Sequence, residues 1–207
     1  MKTIIGLLAC QALPERRNLC RQTWLPVLQS LGVDVVFLIG GHRSLERHGD
    51  ELYLPVPDTY PTLPQKTVAF CHWFSGTDAT HLFKADDDTF IHPWRFMDWL
   101  ATITTQDYVG NEWRDRAGYA SGGAGYLLSR RAAEVATTVK KKHGSEDMEV
   151  AKVLKKSKQR FHIDHRFIGF GNEVKRPLPG NDLITTHKIS VELWNDTWVQ
   201  AKENRSV

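Results

Sequence analysis

Three largely apolar runs, TIIGLLA at 3–9, VDVVFLIGG at 33–41 and THLFKA at 80–85, constrain this chain more than any other feature. Runs of this length, bounded by glycines or turn residues, read as strands buried on both faces, as happens where helices cover a parallel sheet from either side. The intervening stretches carry helical periodicity. Pro14 opens one in which Leu19, Cys20, Thr23, Trp24, Val27, Leu28 and Leu31 recur at helical spacing. A second, from about Thr62 to Phe74, puts Leu63, Thr67, Phe70 and Phe74 on one face, and a third, from His92 to about Ile103, buries Phe96, Leu100 and Ile103. ELYLPV, DYVGNE and GYLLS are shorter strands, and SRRAAEVATTVKKK is a helix capped by Ser129 and ended by its lysines. The alternation predicts an α/β fold, a Rossmann-like sandwich with a mainly parallel central sheet.

A length of 207 residues, 41% hydrophobic and 25% charged, fits one domain with one continuous core, so residues 1–207 are expected to form a single unit. The net charge of +3 is mild, and the basic runs at 140–142 and 155–158 fall where helices should end, so no nucleic-acid partner is expected. No run approaches the ~18 apolar residues of a membrane span. The segment before Cys10 is too short for a secretory leader and reads as a buried first strand. Three cysteines without C-x-x-C spacing indicate neither a disulfide framework nor a zinc site. A soluble, cytoplasmic protein is the expectation.

Asp86, Asp87 and Asp88 follow THLFKA at the carboxyl end of its strand, where ligands of open α/β sheets bind. Three adjacent carboxylates repel one another and call for a counter-charge, for which a divalent cation is the natural choice. Magnesium and manganese take one or two carboxylates and leave positions for phosphate oxygens, which points to a metal–diphosphate site; a solvated acidic turn is the alternative. Asp147, in SEDMEV, lies in the first turn of a predicted helix, where the dipole favours an ionised carboxylate suited to a general base, although Ser145 and its acidic followers are equally ordinary helix-start signals. Gly122, Gly123 and Gly125 permit positive φ and close approach of a ligand to the main chain. Arg17 and Arg21 share a helix face with Trp24, and Lys66 is a cation near a helix start, where an anionic partner would suit it.

The ordered set KADDDTF, YASGGAGYLLSR and SEDMEV resembles the inverting β-1,3-glycosyltransferases of the galactosyltransferase and fringe type, and within it the core-1 β-1,3-galactosyltransferases. RRNLCRQTW, VVFLIG, DTYPTLPQKT and THKISVELW extend the resemblance over most of the chain, with a weaker stretch from Lys155 to Asp182. It implies a GT-A fold and an enzyme moving a sugar, galactose before N-acetylglucosamine, from a UDP-sugar to a glycan or glycoconjugate in β-1,3 linkage, with Mn2+ or Mg2+. By the same resemblance Asp86, Asp88 and His187 hold the metal and Asp147 is the base. Arg21, Lys66, Asp86, Asp87, Gly122 and Gly123 then meet the donor, and Glu146 and Tyr119 the acceptor. The family usually has glycine where this chain has Ala151. Animal members reside in the Golgi lumen, the expected site if this is an excised catalytic domain. Two readings from other classes stand beside it: a phosphohydrolase or nucleotidyltransferase using the aspartates for two cations, and a non-catalytic carbohydrate- or nucleotide-binding module.

Overall fold

A computed structural model describes residues 1–113, 116–141, 143–169 and 182–203. In chain order its elements begin with β1 (Thr3–Ala9), α1 (Pro14–Gln22), α2 (Leu25–Ser30), β2 (Asp34–Ile39), β3 (Glu46–His48), β4 (Glu51–Tyr53) and α3 (Leu63–Ser75). Next come β5 (His81–Asp86), β6 (Thr89–Ile91), α4 (Pro93–Thr102), β7 (Tyr108–Gly110), β8 (Glu112–Trp113), β9 (Arg116–Ala120) and β10 (Tyr126–Ser129). The chain continues through α5 (Arg130–Ala136), α6 (Glu146–Lys156), β11 (Phe161–Ile163), β12 (Phe167–Ile168), β13 (Thr185–His187) and α7 (Val191–Glu203). Eight strands form one sheet in the order β11, β7, β10, β5, β1, β2, β4, β3.

The sheet is mixed around a parallel centre. β1 pairs in parallel with β2 and β5, whereas β10 runs antiparallel to β5 and β7, and β3 antiparallel to β4. The reversal of β10 follows from its connection: the chain turns back after the β8–β9 hairpin and re-enters the sheet directly, which requires no crossover helix. Alternation along β1 splits the core in two. Ile5, Leu7 and Ala9 face a cluster with Trp24 and Leu28 of α2's end of the chain, Phe96 of α4 and Trp194 of α7, while Ile4 and Leu8 face Phe70 of α3, Ala132 of α5 and Val150 of α6. This is the α/β/α sandwich that the apolar runs predict.

Two local expectations are corrected. The helix opened by Pro14 does not run to Leu31; α1 ends at Gln22 and α2 starts at Leu25, because Pro26 has no N–H to donate to Gln22 and its ring crowds that carbonyl. Trp194 Nε1 donates to Thr23 Oγ1 at 3.0 Å, so α7 braces this break. Ser129 caps α5 as predicted, its Oγ accepting from the Ala132 N–H at 3.2 Å, but the helix stops at Ala136 rather than at the lysines. There Thr137 and Thr138 turn their hydroxyls onto the carbonyls of Glu134 and Val135, both at 2.7 Å. Lys142 lies outside the described residues. A second sheet of β12, β13 and β6, unforeseen from sequence, carries the carboxyl-terminal segment across the end of β5.

Gly6 shows how tightly α3 lies on β1. A Cβ there would sit 2.4 Å from Phe70 Cε1. Gly6→Ala is expected to cost about 1–3 kcal/mol through overpacking, measured by denaturant unfolding, with a smaller cost in a Phe70→Leu background. Equal costs in both backgrounds would show that the ring is not the source.

Candidate functional site

The site forms where β5 ends. Asp86 is its last residue, Asp87 and Asp88 make the turn, and β6 leaves into the small sheet, where His187 of β13 is registered opposite Thr89. His187 Nε2 comes within 3.1 Å of Asp88 Oδ1 and 3.6 Å of Asp86 Oδ2. One ligand atom from each of Asp86, Asp88 and His187 can lie within 4.8 Å of the others, a spacing suited to a metal ion. The imidazole is oriented from behind, since Nδ1 meets the Gly169 carbonyl at 2.7 Å and so presents Nε2 to the carboxylates. His187 Nε2 and Asp88 Oδ1, 3.1 Å apart, are buried and form no hydrogen bond to any third group among the described residues, and a cation between them would be held by both. Two oxygen donors and one imidazole fit manganese, with positions left over.

The other aspartate turns inward. Asp87 is buried; its Oδ2 has no partner and its Oδ1 meets only Arg16 NH1, at 3.4 Å. Burial, reinforced by Asp88 and Asp86 and opposed by Arg16, pushes its carboxyl up to about 7. Asp87, expected from the resemblance to meet the donor, thus directs its side chain inward toward Arg16 of α1. Burial also opposes ionisation of Asp88, but His187, Arg16 and Lys188 outweigh it and hold that carboxyl below its ordinary range. Arg16 NH1 lies 3.1 Å from Asp88 Oδ2.

Behind the aspartates, Lys84 is fully buried within β5. Its Nζ donates to Asp86 Oδ1 at 3.1 Å, the Gly122 carbonyl at 3.0 Å and Glu146 Oε2 at 2.9 Å. Burial disfavours the ammonium, yet Asp86 and Glu146 outweigh it and raise Lys84 above its usual range. Glu146 takes a further hydrogen bond from the Tyr126 hydroxyl. Glu146, expected from the resemblance to meet the acceptor, is buried and hydrogen-bonded within the protein to Lys84 and Tyr126. Tyr119 lies on β9, half-buried against the core on the α6 side, and Ala151 is buried in the same cluster.

Asp147 is half-buried at the start of α6. Its Oδ2 accepts the Gly122 N–H at 3.2 Å, and Oδ1 accepts from the Ser145 hydroxyl at 2.6 Å and the Met148 N–H at 2.8 Å. Ser145 thus supports Asp147 and does not cap α6 through its side chain. Gly122 and Gly123 link this carboxylate to the metal group. Of the three loop glycines only Gly125 has positive φ, at 99°, which corrects the backbone reason expected for Gly122 and Gly123. A Cβ on Gly122 would lie 2.8 Å from Glu146 Oε2, and one on Gly123 would lie 2.1 Å from His187 Cε1, so the close neighbours are the protein's own side chains.

Arg16, not Arg21, reaches the aspartates. Arg21 pairs with Asp50 and Glu51, each at 2.8 Å, and lies over the Phe37 ring, while Arg17 meets Glu51 at 3.2 Å. Lys66, expected to meet a phosphate, is buried and held by Asp58 and, at 2.7 Å, by the Ala9 carbonyl. Arg16 carried no distinguishing signal in the sequence. Lys84 carried one: a lysine in an apolar strand, two residues before Asp86, faces the same way as that aspartate.

Residues 15–113 match the family model described as Galactosyltransferase. Among curated proteins, the chain is 29% identical over 117 residues to the probable β-1,3-galactosyltransferase 12 of Arabidopsis thaliana, covering 46% of this chain and 32% of that one. It is 38% identical over 71 residues to glycoprotein-N-acetylgalactosamine 3-β-galactosyltransferase 1 of Xenopus laevis, covering 30% of this chain and 19% of that one. The chain thus spans a third or less of the length of these relatives. A Drosophila β-1,4-galactosyltransferase 7 variant, solved with manganese, UDP-Gal and xylobiose, superposes with a TM-score of 0.56 at 12% identity over 93% of this chain and 73% of that one. The fold is GT-A. No described helix is long and apolar enough to cross a membrane.

Gly123→Ala is expected to displace the His187 ring and weaken manganese binding by about 10-fold or more, the scale on which lost ligand support is felt. Calorimetric titration with manganese measures it. Unchanged affinity would remove His187 from the metal group.

Proposed function

We propose that this chain, β-1,3-galactosyltransferase-like in sequence and GT-A in fold, is an inverting glycosyltransferase that moves galactose from UDP-galactose to a glycan hydroxyl in β-1,3 linkage. The observation that carries this reading is the convergence of Asp86, Asp88 and His187 to within 4.8 Å of one another, with Asp147 hydrogen-bonded to Gly122 of the adjoining loop. The Drosophila neighbour was solved with manganese and UDP-Gal, which favours manganese and that donor here.

Asp86, Asp88 and His187 would hold the cation. When bound it supplies positive charge against the diphosphate, the Lewis-acid role that lets UDP depart without being protonated. Asp147 accepts the proton of the acceptor hydroxyl as that oxygen bonds to the anomeric carbon and the carbon–diphosphate bond breaks on the opposite face. Its hydrogen bonds from the Gly122 N–H and the Ser145 hydroxyl fix the carboxylate's orientation. Gly122 and Gly123 keep the base and His187 close on either side of one loop. Attack from the face opposite the leaving group inverts the anomeric centre.

A screen of UDP-sugars with manganese and β-galactoside or N-acetylgalactosaminide acceptors, read as UDP release and product linkage, tests the donor. UDP-galactose is expected to lead; preference for UDP-N-acetylglucosamine would reassign the donor, and release of inorganic phosphate or UMP without transfer would overturn the proposal. Asp147→Asn is expected to retain UDP binding and to lose roughly 10²-fold or more in transfer rate, the usual scale for removal of a general base. Near-normal transfer by this variant would return Asp147 to a helix-start role.

A further inference from the structure

Arg16 is the one guanidinium that the described residues bring to the aspartate turn. It lies on the first turn of α1, a helix of nine residues whose N-cap, Leu13, supplies no side-chain acceptor or donor to that turn. NH1 sits 3.1 Å from Asp88 Oδ2 and 3.4 Å from Asp87 Oδ1. The guanidinium side chain is 41% exposed, whereas Asp87 is 5% exposed, so Arg16 reaches in from the open side of the cleft. Lys84 serves the neighbouring Asp86 from the buried side, and Arg21 is held elsewhere by Asp50 and Glu51.

Asp88 divides its two oxygens. Oδ1 faces the buried His187 Nε2 at 3.1 Å, and Oδ2 faces Arg16. A cation on the Oδ1 side would take up Asp88's negative charge and reduce its hold on Arg16. An anion arriving on that cation would then meet the guanidinium within the first turn of an uncapped helix, whose dipole also favours negative charge. The planar fork of arginine suits two oxygens of a diphosphate better than one carboxylate oxygen at 3.1 Å.

Resting on the glycosyltransferase reading, we propose that Arg16 is a diphosphate-binding residue, parked on Asp88 until the metal–nucleotide arrives and then transferred to the donor's phosphates. The parking partner and the metal compete for the same carboxylate. Removing Arg16 should therefore separate two affinities that a purely structural residue would move together: nucleotide binding weakens while binding of metal alone does not.

The test uses the full chain, with Arg16→Leu and Arg16→Lys compared by calorimetric titration with manganese alone and then with UDP and UMP at saturating manganese. For Arg16→Leu, UDP is expected to bind about 10- to 100-fold more weakly, the loss of one charge-assisted contact, with a smaller loss for UMP. Manganese alone should bind as in the unaltered protein or more tightly, and Arg16→Lys should recover part of the UDP affinity. Thermal melting in chelator confirms that each variant is folded. UDP affinity within about threefold of the unaltered protein would overturn the proposal, and so would a parallel fall in manganese and UDP affinity, which would make Arg16 a prop for Asp88. Absence of manganese-dependent UDP binding by the unaltered protein would overturn the glycosyltransferase reading, and this inference with it.

Discussion

Mutual repulsion among carboxylates confined to one corner of the molecule governs the arrangement around it. Asp86, Asp87, Asp88 and Glu146 lie within a few side chains of one another and are half-buried or buried, and in that setting an uncompensated charge is costly. Compensation comes from opposite sides. Lys84 rises from the sheet to serve Asp86 and Glu146, and Arg16 descends from α1 to serve Asp87 and Asp88. His187 completes the ring from a third direction, its own proton affinity raised because the carboxylates outweigh the effect of burial. Asp87 resolves its share differently, since its raised proton affinity lets it be neutral near pH 7.

That arrangement explains two features that are otherwise arbitrary. The loop at 121–125 is glycine-rich because Glu146 and His187 occupy the space where Gly122 and Gly123 would carry side chains. The chain departs from the main sheet after Asp88 because β6 must pair with β13, which brings the imidazole to the turn. The small sheet is thus a device for delivering one side chain, and its strands need be only two or three residues long.

The strands of the sandwich were legible because burial on both faces leaves an uninterrupted apolar run, and the aspartate turn was legible because carboxylates are out of place at the end of one. Helical periodicity identified that Arg17 and Arg21 share a face of α1, but not which face meets the strand end, and so it left Arg16 unmarked. Glycines announced close approach without saying whether a ligand or the protein's own side chains would approach. Glu146 read as a surface acid of a helix start, since nothing local reveals that Lys84 and Tyr126 wait beneath it. His187 could be placed only by resemblance, because its partners lie far away in sequence and no local pattern encodes a contact of that range. Pro26, by contrast, was a local signal with a local effect, and the break it causes follows from the missing N–H.

The hydrogen bond from Trp194 to Thr23 has a bearing on the order in which the molecule is assembled. During synthesis β1, α1, α2, β2 and β5 are available long before residues 185–203 emerge, so the aspartates exist for much of that time without their imidazole and α1–α2 without their brace. Contacts of such long sequence separation form late, after the loop-closure entropy between them has been met. The parallel core is therefore a scaffold that can mature before the cation group does. A polypeptide that has not yet reached residue 187 presents the carboxylates of the turn alone, and only continued synthesis brings the nitrogen that lies beside them.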